Sequence, residues 1–217
     1  MSPAIVPASD CAFPKPELDR RVAAVQASLQ HQGLDLLLTS GPENIFYLTG
    51  QQTPGYYTFQ CLGLPAVGSP FLLLRRLESY NARANSRLDD IESYDDDANP
   101  ADAVASLLVA RGWRGKRVAI DKGAWFLTVN LHDRLVAGFQ PLLDGAGIVE
   151  PLRRVKSPLE LDFIEKAAGI NDIGMRAGIA AVREGATDND LVAAIMGEAI
   201  RAGSEYVGME PLVNTGA

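Results

Sequence analysis

The chemistry-bearing residues of this chain are few and scattered. There are two histidines, His31 and His132, and two cysteines, Cys11 and Cys61, among 217 residues. A Ser-His-Asp or Cys-His site would need one of those histidines. Each lies in a polar helical stretch, with His132 flanked by Asp133 and Arg134, a setting for a solvated face rather than a general base. No His-Glu-x-x-His helix and no glycine-rich phosphate loop occurs. Asp95-Asp96-Asp97 invites a metal reading, but it lacks the alternating acidic spacing and central glycine of a calcium loop. It reads instead as a solvated turn whose carboxylates favour the start of the following helix. The acidic residues after position 150 fall mostly on polar helix faces. Taken alone, these residues assemble no complete catalytic site.

The elements that must carry any site are more legible. Glu17–Gln32 has a helical stripe of Leu18, Val22, Val25 and Leu29 and stops at Gly33. Leu34–Thr39 reads as a buried strand. Pro42–Leu48 reads as a short helix closed by Thr49-Gly50. Strands are expected at Tyr57–Leu64 and Phe71–Arg75, paired as a hairpin, and at Ile91–Tyr94 and Arg117–Asp121. Helices are expected at Ser79–Arg87, Pro100–Arg111 and Trp125–Ala137, with extended pieces at Gly138–Leu143 and Gly147–Val149. This alternation over residues 17–150 predicts a layered α/β domain with a mixed sheet flanked by helices. Residues 1–16, with prolines at 3, 7, 14 and 16, read as a loose or extended arm.

A change of character comes at Pro151. Leu152–Lys156 reads as a short basic extended segment. Ser157-Pro158-Leu159-Glu160 then combines an N-cap serine, a proline at the first helical position and a glutamate three residues after the cap. Helices are predicted from 157 to 183 and, after Glu184-Gly185-Ala186, from the Thr187 cap to about 202. A strand is expected over Tyr206–Thr215. The resulting organisation is an arm (1–16), an α/β domain (17–150), and a linker with the opening of a second, helical domain (151–217).

Bulk composition limits the partners. Hydrophobic residues are 47% and charged residues 22%, a globular balance, and the net charge of −7 disfavours nucleic acid or an anionic membrane as partner. Two distant cysteines suit a reducing compartment. The N-terminus does not read as a signal peptide, and no apolar run approaches the roughly 20 residues that span a bilayer. The expected location is the cytoplasm.

Three stretches together resemble the creatinase/aminopeptidase P/prolidase group. Ser40-Gly41-Pro42-Glu43-Asn44-Ile45-Phe46-Tyr47-Leu48-Thr49-Gly50 is similar to its NxxYLTG segment. Arg154-Val155-Lys156-Ser157-Pro158-Leu159-Glu160-Leu161 is similar to its R-x-x-K-S-x-x-E junction. Glu184–Leu191, Gly203-Ser204-Glu205 and Val213–Gly216 follow the start of its catalytic domain. The resemblance implies a metal-dependent hydrolase cleaving a peptide or other C–N bond, with a pita-bread catalytic domain. It implies two divalent ions (manganese, cobalt or zinc) held by two Asp, one His and two Glu, and a bridging water as nucleophile. In the family those ligands fall in a region past Ala217, so the resemblance assigns no catalytic or metal residue in this chain. Either the chain is part of a longer enzyme or it is a natural truncation serving as a binding or dimerisation module.

The resemblance also implies a homodimer, in which the segment after Gly50 reaches the partner's active site, and a small peptide, amidino or carboxylate substrate. That segment here runs from Gln51 to Gln60 and carries Tyr56 and Tyr57. Tyr56, Tyr57, Gln60 and Arg76 are the candidate substrate-binding residues, with phenols facing the ligand and Arg75 or Arg76 taking a carboxylate. The other reading has Tyr57 and Phe59 alternating into the core, Tyr56 covering the hairpin, and the arginines as solvated edge charges. In the isolated chain, the helices after 157 carry apolar stripes that need a sheet, so self-association, disorder or proteolysis of 157–217 is expected.

Overall fold

The computed structural model describes residues 11–205, 208–209 and 211–214. The chain divides into two compact units, Met1–Val155 and Lys156–Ala217. In the first, a six-stranded sheet has the order β4-β3-β2-β1-β5-β6. The strands are β1 (Leu36–Thr39), β2 (Gln60–Pro65), β3 (Phe71–Arg75), β4 (Ile91–Tyr94), β5 (Val118–Ile120) and β6 (Leu142–Asp144). Adjacent strands β1, β2 and β3 run antiparallel to one another, while β3–β4, β1–β5 and β5–β6 are parallel pairs.

The four leucine and threonine side chains of β1 are all buried, so this strand is covered on both faces. Alternation then divides the core. Leu37 joins Val25, Leu29, Ile45, Leu48 and Leu62 on one face of the sheet. Leu36 and Leu38 join Val104, Leu108, Leu135 and Phe139 on the other. The first face is covered by α1 (Lys15–Gln32), α2 (Pro42–Thr49) and α3 (Arg76–Asn85), the second by α4 (Pro100–Ala110) and α5 (Val129–Gly138). This is the mixed α/β layering read from the strand–helix alternation.

Several boundaries differ from the sequence expectation. Residues 57–59 are not part of β2. Both the backbone N–H and the hydroxyl of Thr58 donate to the Gly55 carbonyl, at 3.0 and 2.8 Å, and that turn prevents extension. Helix α5 begins at Val129 because Thr128 is the N-cap, accepting from the Leu131 N–H, which leaves Trp125–Leu127 in a loop. Helix α3 starts three residues earlier than expected, at Arg76. Residues 147–149 form no strand. The basic segment before Ser157 is not extended, since Glu150–Arg154 forms a helical turn, α6, with Pro151 near its start. Of the arm, residues 1–10 lie outside the described residues. Phe13 is buried against α2, its ring 5.9 Å from that of Phe46.

The second unit contains α7 (Pro158–Ala181) and α8 (Asp188–Arg201). Both start with a two-way cap, Ser157 with Glu160 and Thr187 with Asp190. The helices meet through Gly174 and Gly178. A Cβ at Gly178 would sit 2.6 Å from the Ile195 side chain. Part of the expected strand over 206–215 lies outside the described residues, and its described positions 208–209 and 211–214 form no strand.

Candidate functional site

The loop between α2 and β2 is held tightly by α3. Gly50 closes α2 in the left-handed conformation, its N–H donating to the Phe46 carbonyl. Thr49 Oγ1 donates back to the Ile45 carbonyl at 2.7 Å and accepts from the Gln51 N–H at 3.0 Å. The Gln52 carbonyl accepts from Asn81 and Asn85, at 2.7 and 3.2 Å. Thr53 Oγ1 donates to Glu78 at 2.6 Å and accepts from the Gly55 N–H at 2.9 Å. The Gly55 backbone passes so close to Glu78 that a Cβ there would lie 2.5 Å from its carboxylate. The residues following Gly55 are therefore displayed from a fixed turn.

That turn presents Tyr56 and Tyr57, 46% and 73% exposed. Tyr57 thus does not alternate into the core, whereas Phe59 packs partly buried on the second core face. The Tyr56 ring stands edge-on to Phe126 at 6.0 Å, and to Tyr57 at 6.4 Å. Trp125, next to Phe126, is 95% exposed. Sequence reasoning placed Trp125 in a helix and missed both aromatics. The available signal was Thr128, a good N-cap that moves the helix start past them. Glu78, which fastens the loop, was also missed.

The remaining candidates are placed differently. Gln60 opens β2 and is buried, with its Oε1 lacking a hydrogen-bond partner in the structure. Arg75 makes a two-pronged pair with Asp96 at 2.6 and 2.9 Å, and Arg76 pairs with Asp95 at 2.8 Å. The Asp96 pairing raises the guanidinium pKa of Arg75, and the Arg75 bond holds the Asp96 carboxyl below its ordinary value. The triplet 95–97 is thus partly a set of counter-ions, and with Arg76, Leu77 and Tyr80 it lines a shallow depression of about 470 Å³. Tyr94 donates to the Phe59 carbonyl at 2.6 Å, and burial pushes its phenol up to about 12. The structure brings Tyr56 against both Tyr57 and Phe126. It leaves Gln60 inside the sheet. Such a rim can bind through aromatic faces and exchangeable ion pairs.

Loosening the loop is a direct check. Glu78→Ala removes the acceptor of Thr53 and the contact with Gly55. Amide exchange across residues 52–58 is expected to rise roughly tenfold, one hydrogen bond to a charged group being worth about 1.5–3 kcal/mol before solvent replaces it. Exchange in β1 should not change. Unchanged protection of 52–58 would show that the strap is not what holds the loop.

A second polar cluster lies where β1 and β5 end. Asp121 accepts from Thr39 Oγ1 at 3.0 Å, from Asn44 Nδ2 at 3.1 Å and from the Gly123 N–H at 3.0 Å. Asn44 Nδ2 also donates to Glu150 at 2.7 Å. Burial, reinforced by the Glu150 charge, pushes the Asp121 carboxyl above its usual value, although the three donors oppose the shift. Because the folded pKa is raised, the folded state holds this proton more tightly than the unfolded chain. Asp121 therefore contributes stability below the ordinary carboxylate pKa, and that contribution is lost as pH rises through the raised value. A carboxyl-carbon NMR titration is expected to place its midpoint above about 3.9, and a midpoint at or below that value would contradict the assignment.

Among the described residues, no three His, Cys, Asp or Glu side chains converge to hold a metal ion. The described residues thus do not supply the two-metal centre that the resemblance implies.

Comparison with known proteins places this architecture. The Creatinase/Prolidase N-terminal domain matches residues 21–155. An uncharacterised hydrolase/peptidase of Sinorhizobium fredii is 27% identical over 208 residues, covering 91% of this chain and 53% of the relative. The ectoine hydrolase of Halomonas elongata is 27% identical, covering 94% and 56%. The chain thus spans about half the length of the curated relatives it matches. Among solved structures, a dipeptidase from Mycobacterium ulcerans superposes with a TM-score of 0.63 at 27% identity, covering 89% of this chain and 52% of that one. A prolidase from Thermococcus sibiricus gives 0.71 at 22% identity over 89% and 52%, a likeness of fold alone. With this match over residues 21–155, the chain belongs to the creatinase/prolidase N-terminal domain family.

Proposed function

We propose that this chain is the N-terminal part of a metal-dependent hydrolase that cleaves a peptide or other C–N bond in a small substrate. Residues 17–150 form a domain whose Tyr56–Tyr57 rim borders the substrate, with Arg76 as a further contact. Residues from 151 onward are the linker and the opening of a pita-bread catalytic domain. The observation that carries this reading is the family match over residues 21–155, continued in the same chain by the capped helix pair α7–α8. The two divalent ions that the family relationship implies are assigned to that catalytic domain. The working form is a cytoplasmic homodimer. Its support is the family relationship, two free cysteines, and the absence, among the described residues, of a helix long and apolar enough to cross a membrane.

The test is hydrolysis by the protein from the complete reading frame, loaded with manganese, cobalt or zinc. The probes are dipeptides with proline second, other dipeptides, and cyclic or acyclic amidines. Metal-dependent cleavage of one class supports the reading, and Tyr57→Ala should then raise KM more than it lowers kcat. No cleavage of any class by folded, metal-loaded protein would overturn it.

A second reading is favoured by the exposed aromatics of the rim. In it the domain is a non-catalytic binding or dimerisation module. Saturable thermal stabilisation of this chain by a dipeptide or amidine, without metal, would favour it over the enzyme reading.

A further inference from the structure

The loop after α2 buries a polar group that its own fastening does not use. Gln51 is 2% exposed, yet neither its Nε2 nor its Oε1 has a hydrogen-bond partner in the structure. Only its backbone is tied, the N–H donating to Thr49 Oγ1. Gln60, at the other end of the same loop, is also buried and has an unpartnered Oε1. Asn44, a buried amide nearby in sequence, is treated differently. Its Nδ2 donates to Asp121 and Glu150, and its Oδ1 accepts from Arg153. A buried amide left unmade is costly, because its bonds to water are lost and nothing replaces them. A fold that keeps such a group at a candidate site points to a use for it.

Of the two glutamines, Gln51 is the one that can turn. Gln60 is part of β2, in register with Leu74 of β3, and the ladder fixes it. Gln51 belongs to the loop and directly follows Gly50, whose φ of 77° is one that glycine enters and leaves with little strain. Between Gln51 and the rim the loop is held to α3 by side chains. Asn81 and Asn85 donate to the Gln52 carbonyl, and Thr53 donates to Glu78. Bonds of this kind open locally, without unfolding the sheet.

We propose that Gln51 is a specificity-determining residue of the rim, turning about Gly50 to pair its amide with a secondary amide of a ligand seated at Tyr56 and Tyr57. The proposal rests on the reading of that rim as a substrate border. The ligand class follows from the side chain, which offers donors and an acceptor together. The peptide unit of a dipeptide answers both, its carbonyl accepting from Nε2 and its N–H donating to Oε1. A carboxylate only accepts. An ester, or a peptide bond to a proline nitrogen, has no N–H and leaves Oε1 unmet. The rim therefore selects dipeptides whose second residue is not proline.

The test joins folding and binding in the 217-residue chain, without metal. Gln51→Met and Gln51→Leu replace the amide with apolar groups. Thermal unfolding at one protein concentration should show a Tm at least about 3 °C higher in one or both, since an unmet donor and acceptor leave the interior. NMR titration then compares alanyl-alanine with its ester analogue, in which oxygen replaces the peptide N–H. The wild-type chain should bind the dipeptide about tenfold more tightly, and the stabilised variant should bind the two within about twofold of each other. No rise of Tm in either variant, failure to fold included, would show that the amide has a partner the fold requires, and would overturn the proposal. So would a wild-type chain that binds neither probe or does not distinguish them, or a variant that keeps the tenfold preference. None of these readouts is hydrolysis, so failure here is told apart from failure of the hydrolase reading.

Discussion

Replacing Arg21 with alanine is expected to destabilise the first unit by about 3–5 kcal/mol, the usual cost of breaking a buried charge network. Arg21 is 1% exposed. Its Nη1 donates to the Tyr47 carbonyl at 2.9 Å and its Nε to Glu17 at 3.0 Å. The guanidinium is sandwiched between the rings of Phe13 and Tyr47, at 4.0 and 4.4 Å from their centroids. The change to alanine removes a charge-assisted bond, two cation–π contacts and the volume of a long side chain, and so leaves a cavity under α2. Arg21→Met should cost less than half as much. It refills most of the volume between the two rings, and Glu17 keeps its bonds to Arg20. Urea denaturation at constant m-value reads the difference. A loss below about 1 kcal/mol for alanine would show that desolvation of the guanidinium cancels everything its contacts contribute.

The second large effect concerns the helical unit. Phe163, Ile164, Ile173, Met175 and Ile179 of α7, its C-cap Val182, and Ile200 of α8 are between 43% and 66% exposed. The close approach at Gly174 and Gly178 uses only one face of α7 for its partner helix. Apolar area on this scale, at about 25 cal/mol per Å², strongly favours association. The purified 217-residue chain is expected to associate above micromolar concentration, or to be cleaved after residue 156 at low protease. The double variant Ile173→Glu/Ile179→Lys should restore a monomer. Light scattering and limited proteolysis with mass spectrometry decide the outcome. A monodisperse wild-type monomer, with α7 as protected as β1, would refute the expectation.

How much of this was legible depended on whether the determinant was local. Ser157-Pro158-Leu159-Glu160 specifies a helix start within one turn of chain, so it was readable, and both halves of the capping box form. The run Leu36–Thr39 is apolar enough to be read as a buried strand without knowing its neighbours. Arg21 is the opposite case. Its spacing in α1, three after Leu18 and four before Val25, is that of the buried stripe, but its charge argues against burial, and only the approach of Tyr47 and Phe13 makes a core place for it. Tyr57 has the alternation of a strand residue, but the Gly55–Thr58 turn takes it out of the sheet. Phe126 joins the rim because the loop after β5 comes beside the loop after α2, a proximity with no trace in sequence distance.

The sequence by itself determined the layered α/β class, the helix caps, the buried central strand and the family. Each rests on periodicity, on capping chemistry within four residues, or on short motifs. Only the tertiary structure decided which residues line the rim, that Arg75 and Arg76 have Asp96 and Asp95 as partners, and that Asn44 joins Asp121 to Glu150. Those contacts link residues from 19 to 106 positions apart. The Asn44 contacts draw their strength from burial, which exists only once the sheet has assembled and excluded water, whereas the two exposed arginine pairs depend on the geometry that brings Arg75 and Arg76 beside Asp96 and Asp95.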